Sequence, residues 1–240
     1  MRIAWIFFLA APTALLSQDT IAPERPSITN SPDAVSSGSF QIENGFQVSH
    51  SQGERTFDAP ETFVRFGVGG GMELRFTAPN YLHGPGSGFG DVTLGVKREL
   101  GRAPGGFETA VILQMSLPGG ADAVSSHGYD PGLQLPWSHK VSDHWTAGGM
   151  FSLYWPTQAG ARNLTGESTF LLDWQVTKPC DAFIEYAADI PRHGGTQSLL
   201  HFGAAYKLSP RQEVDLHFGV GLSAAAVDHF IGIGYSLRFH

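Results

Sequence analysis

The sequence predicts an all-β fold: a closed antiparallel transmembrane β-barrel of about 12 strands, with short periplasmic turns at one end and longer outer loops at the other. Three observations predict it. Apolar residues recur at period two rather than 3.6 in twelve successive runs, and a strand sends alternate side chains to opposite faces. The connections between runs alternate short and long, as they do in outer-membrane barrels. Charged residues are 15% of the 240, 30 residues are glycine and mean hydropathy is −0.08. That is too apolar for disorder and too polar for a bundle of membrane helices, whereas a barrel turns half its strand residues to water.

The length suits one domain. With 15 Lys+Arg against 22 Asp+Glu the net charge is −7, so no basic field exists to hold a phosphate backbone and nucleic acid is excluded as a partner. Met1-Arg2 followed by the apolar run 3–16 reads as a secretory signal peptide over residues 1–17, too short to span ~30 Å of hydrocarbon. No later stretch is long and apolar enough for a membrane helix. Residues 18–38, with Pro23, Pro26 and Pro32 and then Ser36-Ser37-Gly38, read as an extended periplasmic leader. The barrel is assigned to residues 39–240, with both termini in the periplasm. Cys180 is alone, so no internal disulfide can form.

The twelve runs are 39–49, 57–68, 72–78, 89–100, 107–117, 132–141, 145–155, 167–177, 181–190, 197–208, 212–222 and 228–239. One phase is apolar throughout, as in Val64/Phe66/Val68, Leu113/Met115/Leu117, Phe170/Leu172/Trp174 and Ile231/Ile233/Tyr235/Leu237/Phe239. The other phase is small or polar. It carries Glu43, Arg65, Glu73, Arg75, Lys97 and Glu108 in the first half of the chain, and Asp173, Glu185, His201, Lys207, Glu213, Asp215 and His217 in the second. These are the candidate lumen-lining, ligand-contacting residues.

Gly69-Gly70-Gly71, Ser142-Asp143-His144, Lys178-Pro179-Cys180 and Ser209-Pro210-Arg211 are the tight turns, and 79–88, 118–131 and 156–166 the long loops. Phe107, Trp145 and Tyr206 near short connections, and Trp155 and Phe170 near long ones, suit interfacial girdles. Only closure satisfies every backbone donor in lipid, so the strands should form one sheet without edges. A periplasmic sandwich or lipocalin-like barrel would turn the apolar phase inward instead. The alternation of connections and the terminal Phe239 argue against it.

The stretches Glu24-Arg25-Pro26-Ser27-Ile28-Thr29-Asn30-Ser31-Pro32, Gly38-Ser39-Phe40-Gln41-Ile42-Glu43, Gly90-Asp91-Val92-Thr93-Leu94-Gly95-Val96-Lys97 and Pro131-Gly132-Leu133-Gln134-Leu135-Pro136-Trp137-Ser138 carry a likeness. Through them the chain, from about residue 24 to 240, resembles the bacterial outer-membrane family described as the MetA-pathway of phenol degradation. The resemblance implies a barrel transporter of small solutes, small aromatic or hydrophobic compounds among them, and supplies no catalytic residue.

Centring the hairpins on their turns pairs Lys207 with Glu213, Asp173 with Glu185 and Arg65 with Arg75, with Glu73 beside the arginines. Segregated like charges would give a channel one cation-favouring and one anion-favouring region. Alternatively the arginines meet Asp173 and Glu185 across the barrel and fill it, since twelve strands lie between plugged eight-stranded barrels and open 16–18-stranded ones.

Enzymatic signals are weak. Gly86-Ser87-Gly88-Phe89-Gly90 joins two strands and opens no helix, so it is no phosphate cradle. His50-Ser51 and Asp228-His229 lie near the outer rim, where a lipid hydrolase would keep a Ser–His pair, but adjacent strand residues point oppositely. His201 and His217 face inward on neighbouring strands and could share a metal, yet lumen filling explains them without one. The expectation is therefore a monomeric passive channel with no enzymatic activity, no cofactor and no metal centre. Its partners are outer-membrane lipid, a small-molecule solute and, through the C-terminal strand ending at Phe239, the barrel-assembly machinery. The alternative is a non-conducting barrel with a filled lumen.

Overall fold

The computed structural model describes residues 20–239, and the signal segment expected at 1–17 lies outside them. Twelve wall strands alternate direction around a barrel: β1 Phe40–Ser51, β2 Phe63–Gly69, β3 Met72–Thr77, β4 Val92–Ala103, β5 Phe107–Leu117, β6 Asp130–Lys140, β7 Trp145–Tyr154, β8 Thr165–Thr177, β9 Cys180–Pro191, β10 Gln197–Ser209, β11 Gln212–Gly221 and β12 His229–Phe239. Each pairs with its neighbour in sequence. The ring closes where β12 meets β1, from Phe40 opposite Phe239 to His50 opposite His229. No edge remains to expose backbone donors to lipid.

One predicted strand is interrupted. The run 57–68 divides into Glu54–Ala59 and Phe63–Gly69, both paired with β1. Proline at position 60 cannot donate to the ladder, so the chain breaks there, and Glu61 adopts a positive φ of 47° with its carboxylate inside the barrel against Arg25. Tyr81–His83 pairs with Glu54–Ala59 and extends the third wall strand outward.

The partition of side chains is the reverse of a soluble protein's. Leu113, Phe151, Phe170 and Ile233 on the outer face are 54%, 58%, 52% and 55% exposed, whereas Gln41, Glu43, Glu73, Lys97 and Glu185 on the inner face are fully buried. Such an apolar surface is stable against acyl chains and not against water. Trp145 and Trp174 stack at 5.6 Å and Phe107 lies edge-on to Trp137 at 5.7 Å, forming part of a girdle at the short-turn end. Phe170, expected at the rim, instead lies mid-wall over Gly149, opposite Tyr186.

Residues 20–38 do not extend outside the barrel. They enter from the short-turn end, where the amide of Ile21 donates to Pro210 O at 2.8 Å, and return to it where Gly38 N donates to Gly67 O at 2.8 Å. Between these points the chain forms a hairpin-like loop in the lumen with Thr29 and Asn30 at its tip. Prolines suit it, because a residue without an N–H leaves no donor stranded away from water. The other donors find wall carboxylates. Glu24 N and Arg25 N each donate to Glu43 at 3.0 Å, Ile28 N and Thr29 N to Glu185 at 2.9 and 2.7 Å, Ala34 N to Glu99 at 2.7 Å and Val35 N to Glu73 at 2.8 Å.

Candidate functional site

The wall opposite the leader is set by hairpin register. Across the β2–β3 turn Arg65 lies opposite Arg75, as its glycine-centred geometry requires. The two guanidinium groups do not repel, because Glu73 lies between them. It accepts from Arg65 Nε and Nη2 at 3.0 and 2.8 Å, and from Arg75 Nη1 at 2.9 Å. The leader supplies the next carboxylate. Glu24 Oε1 is 3.1 Å from both Arg65 Nη2 and Arg75 Nη1, and it accepts from Lys97 Nζ, which also donates to Ser31 O at 2.8 Å. Glu43 lies 3.6 Å from Arg65. Three buried carboxylates thus face three buried cations. Charges so deep in a barrel are tolerated only when paired and hydrogen-bonded in this way.

The arginines therefore reach neither Asp173 nor Glu185. Those two also do not pair with each other. Thr177 pairs with Cys180, so the turn is Lys178-Pro179 alone and, with the bulge at Val176, the hairpin centres on Lys178 and not on Pro179, placing Asp173 opposite Phe183 and Glu185 opposite Leu171. The slip is an even number of residues, so both stay on the inner face. Lys207 is opposite Glu213 as expected, but its ammonium is nearer Asp181, at 2.6 Å, than Glu213, at 3.7 Å. Asp215 holds Arg25 at 3.3 Å, and Arg25 reaches Glu61 at 2.6 Å. Glu108 joins none of this: it pairs with Arg102 at 2.7 Å beside a short turn.

Glu185, His201 and His217 form a chain. His201 Nδ1 is 2.8 Å from Glu185 Oε2, and His201 Nε2 is 3.0 Å from His217 Nδ1. Among the described residues no group of three or more metal-ligating side chains is gathered. At the outer rim His50 stacks on His229 at 4.6 Å and its Nε2 takes Arg55 Nε at 3.0 Å, so that nitrogen is engaged by a guanidinium and not by Ser51. The glycines at 86–90 are explained by a loop that crosses them, since a Cβ on Gly86 would lie 2.8 Å from Ala123 O.

Two cavities lie toward the two ends of the remaining lumen. The inner one, about 330 Å³, opens toward the short turns and is lined by Trp137, Leu171, Asp173, Asp181, Lys207 and Glu213 with the leader. The outer one, about 490 Å³, lies under the long loops and is lined by Asp130, Tyr154, Asn163, Glu167 and Asp189 among others. A thin layer separates them. Thr29 Oγ1 is 2.6 Å from Thr169 Oγ1, and Asn30 Nδ2 donates to Gln134 Oε1 at 3.1 Å while its Oδ1 accepts from Arg75 at 2.8 Å. Gln134 in turn donates to Tyr154 OH at 2.6 Å.

The sequence reading found the inward charges but missed Glu24, Arg25, Thr29 and Asn30. The signal was present in two parts: a proline-punctuated segment poor in donors, and inner-face carboxylates in need of them.

Known structures share this fold. The COG4313 outer membrane channel from Pseudomonas putida F1 superposes with a TM-score of 0.68 at 13% identity, covering 87% of this chain and 98% of that one. The NanC porin gives 0.61 at 11% identity, covering 82% and 98%, and the KdgM porin 0.59 at 11%, covering 83% and 99%. No curated protein sequence matches the chain. Residues 24–239 match the family model described as Putative MetA-pathway of phenol degradation, and the chain belongs to that family.

Proposed function

We propose that the protein is a passive channel for small solutes in the outer membrane of a Gram-negative bacterium, with its N-terminal leader as the constriction. The observation that carries this reading is the pair of cavities, about 490 and 330 Å³, with the layer at Thr29 and Asn30 between them. A barrel kept as a mere support would have no need of vestibules at both ends. Short turns and both chain ends then face the periplasm, the apolar outer face meets lipid, and the strand ending at Phe239 presents itself to the barrel-assembly machinery. The path is self-contained within one barrel, which suits a monomer. The solute is small, aromatic or hydrophobic compounds included by the family resemblance.

One observation favours a second reading. The buried network around Glu24 is fully paired, as in a barrel whose lumen is permanently filled. Swelling of proteoliposomes in isosmotic arabinose separates the two: uptake through the full mature chain supports the channel, and swelling that appears only when residues 20–38 are deleted supports the filled barrel.

A further inference from the structure

Five adjacent strands set one row of inward side chains across the wall of the outer half of the lumen. The ladders pair Gln134 with Ser152, Ser152 with Glu167, Glu167 with Asp189 and Asp189 with Gln197. From β6 to β10 each strand thus contributes one residue, with neighbours about 5 Å apart.

The two ends of the row differ. On the β6–β8 side it is closed on itself: Ser152 Oγ donates to Glu167 Oε1 at 2.8 Å, Tyr154 OH to the same oxygen at 3.3 Å, and Gln134 Nε2 to Tyr154 OH at 2.6 Å. On the β8–β10 side it is open. Among the described residues no hydrogen bond reaches Glu167 Oε2, the Asp189 carboxyl or the Gln197 side-chain amide, and all three residues line the outer cavity. Two more amides there have spare capacity. Gln114 on β5 has no side-chain partner among the described residues, and Gln158, whose Oε1 accepts from Asn163 Nδ2 at 2.7 Å, keeps its Nε2 free. At about 490 Å³ the cavity falls in the range of small-molecule sites, about 300–1,000 Å³.

These free groups narrow the ligand. Among the described residues no Lys or Arg lines the cavity, so an anion would meet carboxyls and no cation. A cation would satisfy Glu167 and Asp189 and leave the amides of Gln114, Gln158 and Gln197 unused. An apolar solute would strip water from all five and replace none of its hydrogen bonds. Hydroxyls suit every one of them, because a hydroxyl both donates and accepts and so fits a carboxyl oxygen, an amide nitrogen and an amide oxygen alike. The fit is independent of ionisation, since a protonated carboxyl also hydrogen-bonds a hydroxyl. Pro131, Pro156 and Pro191 add C–H surface on which a saturated ring can pack. We infer that the outer cavity binds a neutral polyhydroxylated solute of the sugar class, held at Glu167, Asp189 and Gln197. As it names a class of solute for the proposed pathway, its biological role rests on that reading; the binding itself does not.

The test uses the full mature chain in micelles of octyl tetraoxyethylene, a detergent without a sugar headgroup, with glucose, galactose and arabinose as probes. Saturation-transfer NMR should show saturable binding of at least one of the three. Glucuronate and tetramethylammonium should bind more weakly than that sugar. Asp189→Leu and Gln197→Leu, with folding verified by heat-modifiable gel mobility, should each weaken it about tenfold, the worth of one hydrogen bond. Absence of saturable transfer to all three sugars, or a preference for glucuronate or tetramethylammonium, overturns the proposal on the wild-type protein alone, as does sugar binding that neither variant weakens. Because no membrane is involved, a failure here leaves the conductance reading untouched, and silent bilayers leave this site untouched.

Discussion

The hydroxyl oxygens of Thr29 and Thr169, 140 residues apart in sequence, lie 2.6 Å from each other in the middle of the lumen, where both residues are buried. Thr29 belongs to the leader and Thr169 to the wall, so this contact, with its neighbour between Asn30 and Gln134, ties the leader to the wall between the inner and outer cavities.

If that layer is a latch, weakening it should open the path without unfolding the wall. Asn30→Ala removes a donor to Gln134 and an acceptor of Arg75. Two hydrogen bonds are worth about 2 kcal/mol, enough to shift a closed-to-open ratio about thirtyfold. Open probability in planar bilayers should rise, with gel mobility of the folded barrel unchanged.

Glu24→Gln should do more. It replaces the charged Oε1 that Arg65, Arg75 and Lys97 share with an uncharged amide in a buried cluster, and breaking such a pair costs about 3–5 kcal/mol. Proteinase K added from the short-turn side should then cleave within residues 20–38 of the folded barrel. Lys140→Ala, which touches only the exposed Asp143, should give the wild-type pattern.

The leader can be displaced without touching a charge. A Cβ on Gly67 would lie 2.1 Å from Ser36 O and 2.3 Å from Val35 O, both backbone atoms that cannot swing aside. Gly67→Ala should therefore raise protease sensitivity of the leader as Glu24→Gln does, while leaving the buried ion pairs of the wall in place.

Outside the wall strands, Asp91 anchors the long loop that follows β5. Burial acts to raise its pKa, but the Ser125 hydroxyl and the amides of Gly120, Ser126 and Gly119 outweigh it and hold the carboxyl well below the ordinary range. A pKa depressed on folding gives stability that is complete above the unfolded value, about 4, and lost as pH falls through the folded value. Hydrogen exchange across residues 118–126 should stay slow from pH 7 to 4 and quicken below pH 3, whereas Asp91→Asn should be faster throughout and show no such step.

Much of the wall is legible in the sequence because lipid imposes a two-residue period that nothing else overrides. The Arg65–Arg75 and Lys207–Glu213 register follows from tight turns, where few geometries exist. The same bulge precedes all three two-residue turns, at Val68, Val176 and Leu208, and counting fails by two residues only where it is centred on Pro179, one residue past Lys178; where a proline removes a donor, as at Pro60, one run becomes two. The Glu185–His201 pairing spans a longer outer connection whose length fixes no register. Least legible is the leader, since its contacts are non-periodic and its partners lie far along the chain, Thr29 meeting Glu185 across 156 residues.

The central claim is tested most directly by a disulfide staple at the latch. Two Thr hydroxyls 2.6 Å apart place their β-carbons within reach of a disulfide, so the Thr29→Cys/Thr169→Cys protein, made with Cys180→Ser, should close covalently on oxidation. In planar bilayers the oxidised protein should be silent and reductant should restore discrete conductance steps. Steps that are the same in both states, or none in either, would contradict the account.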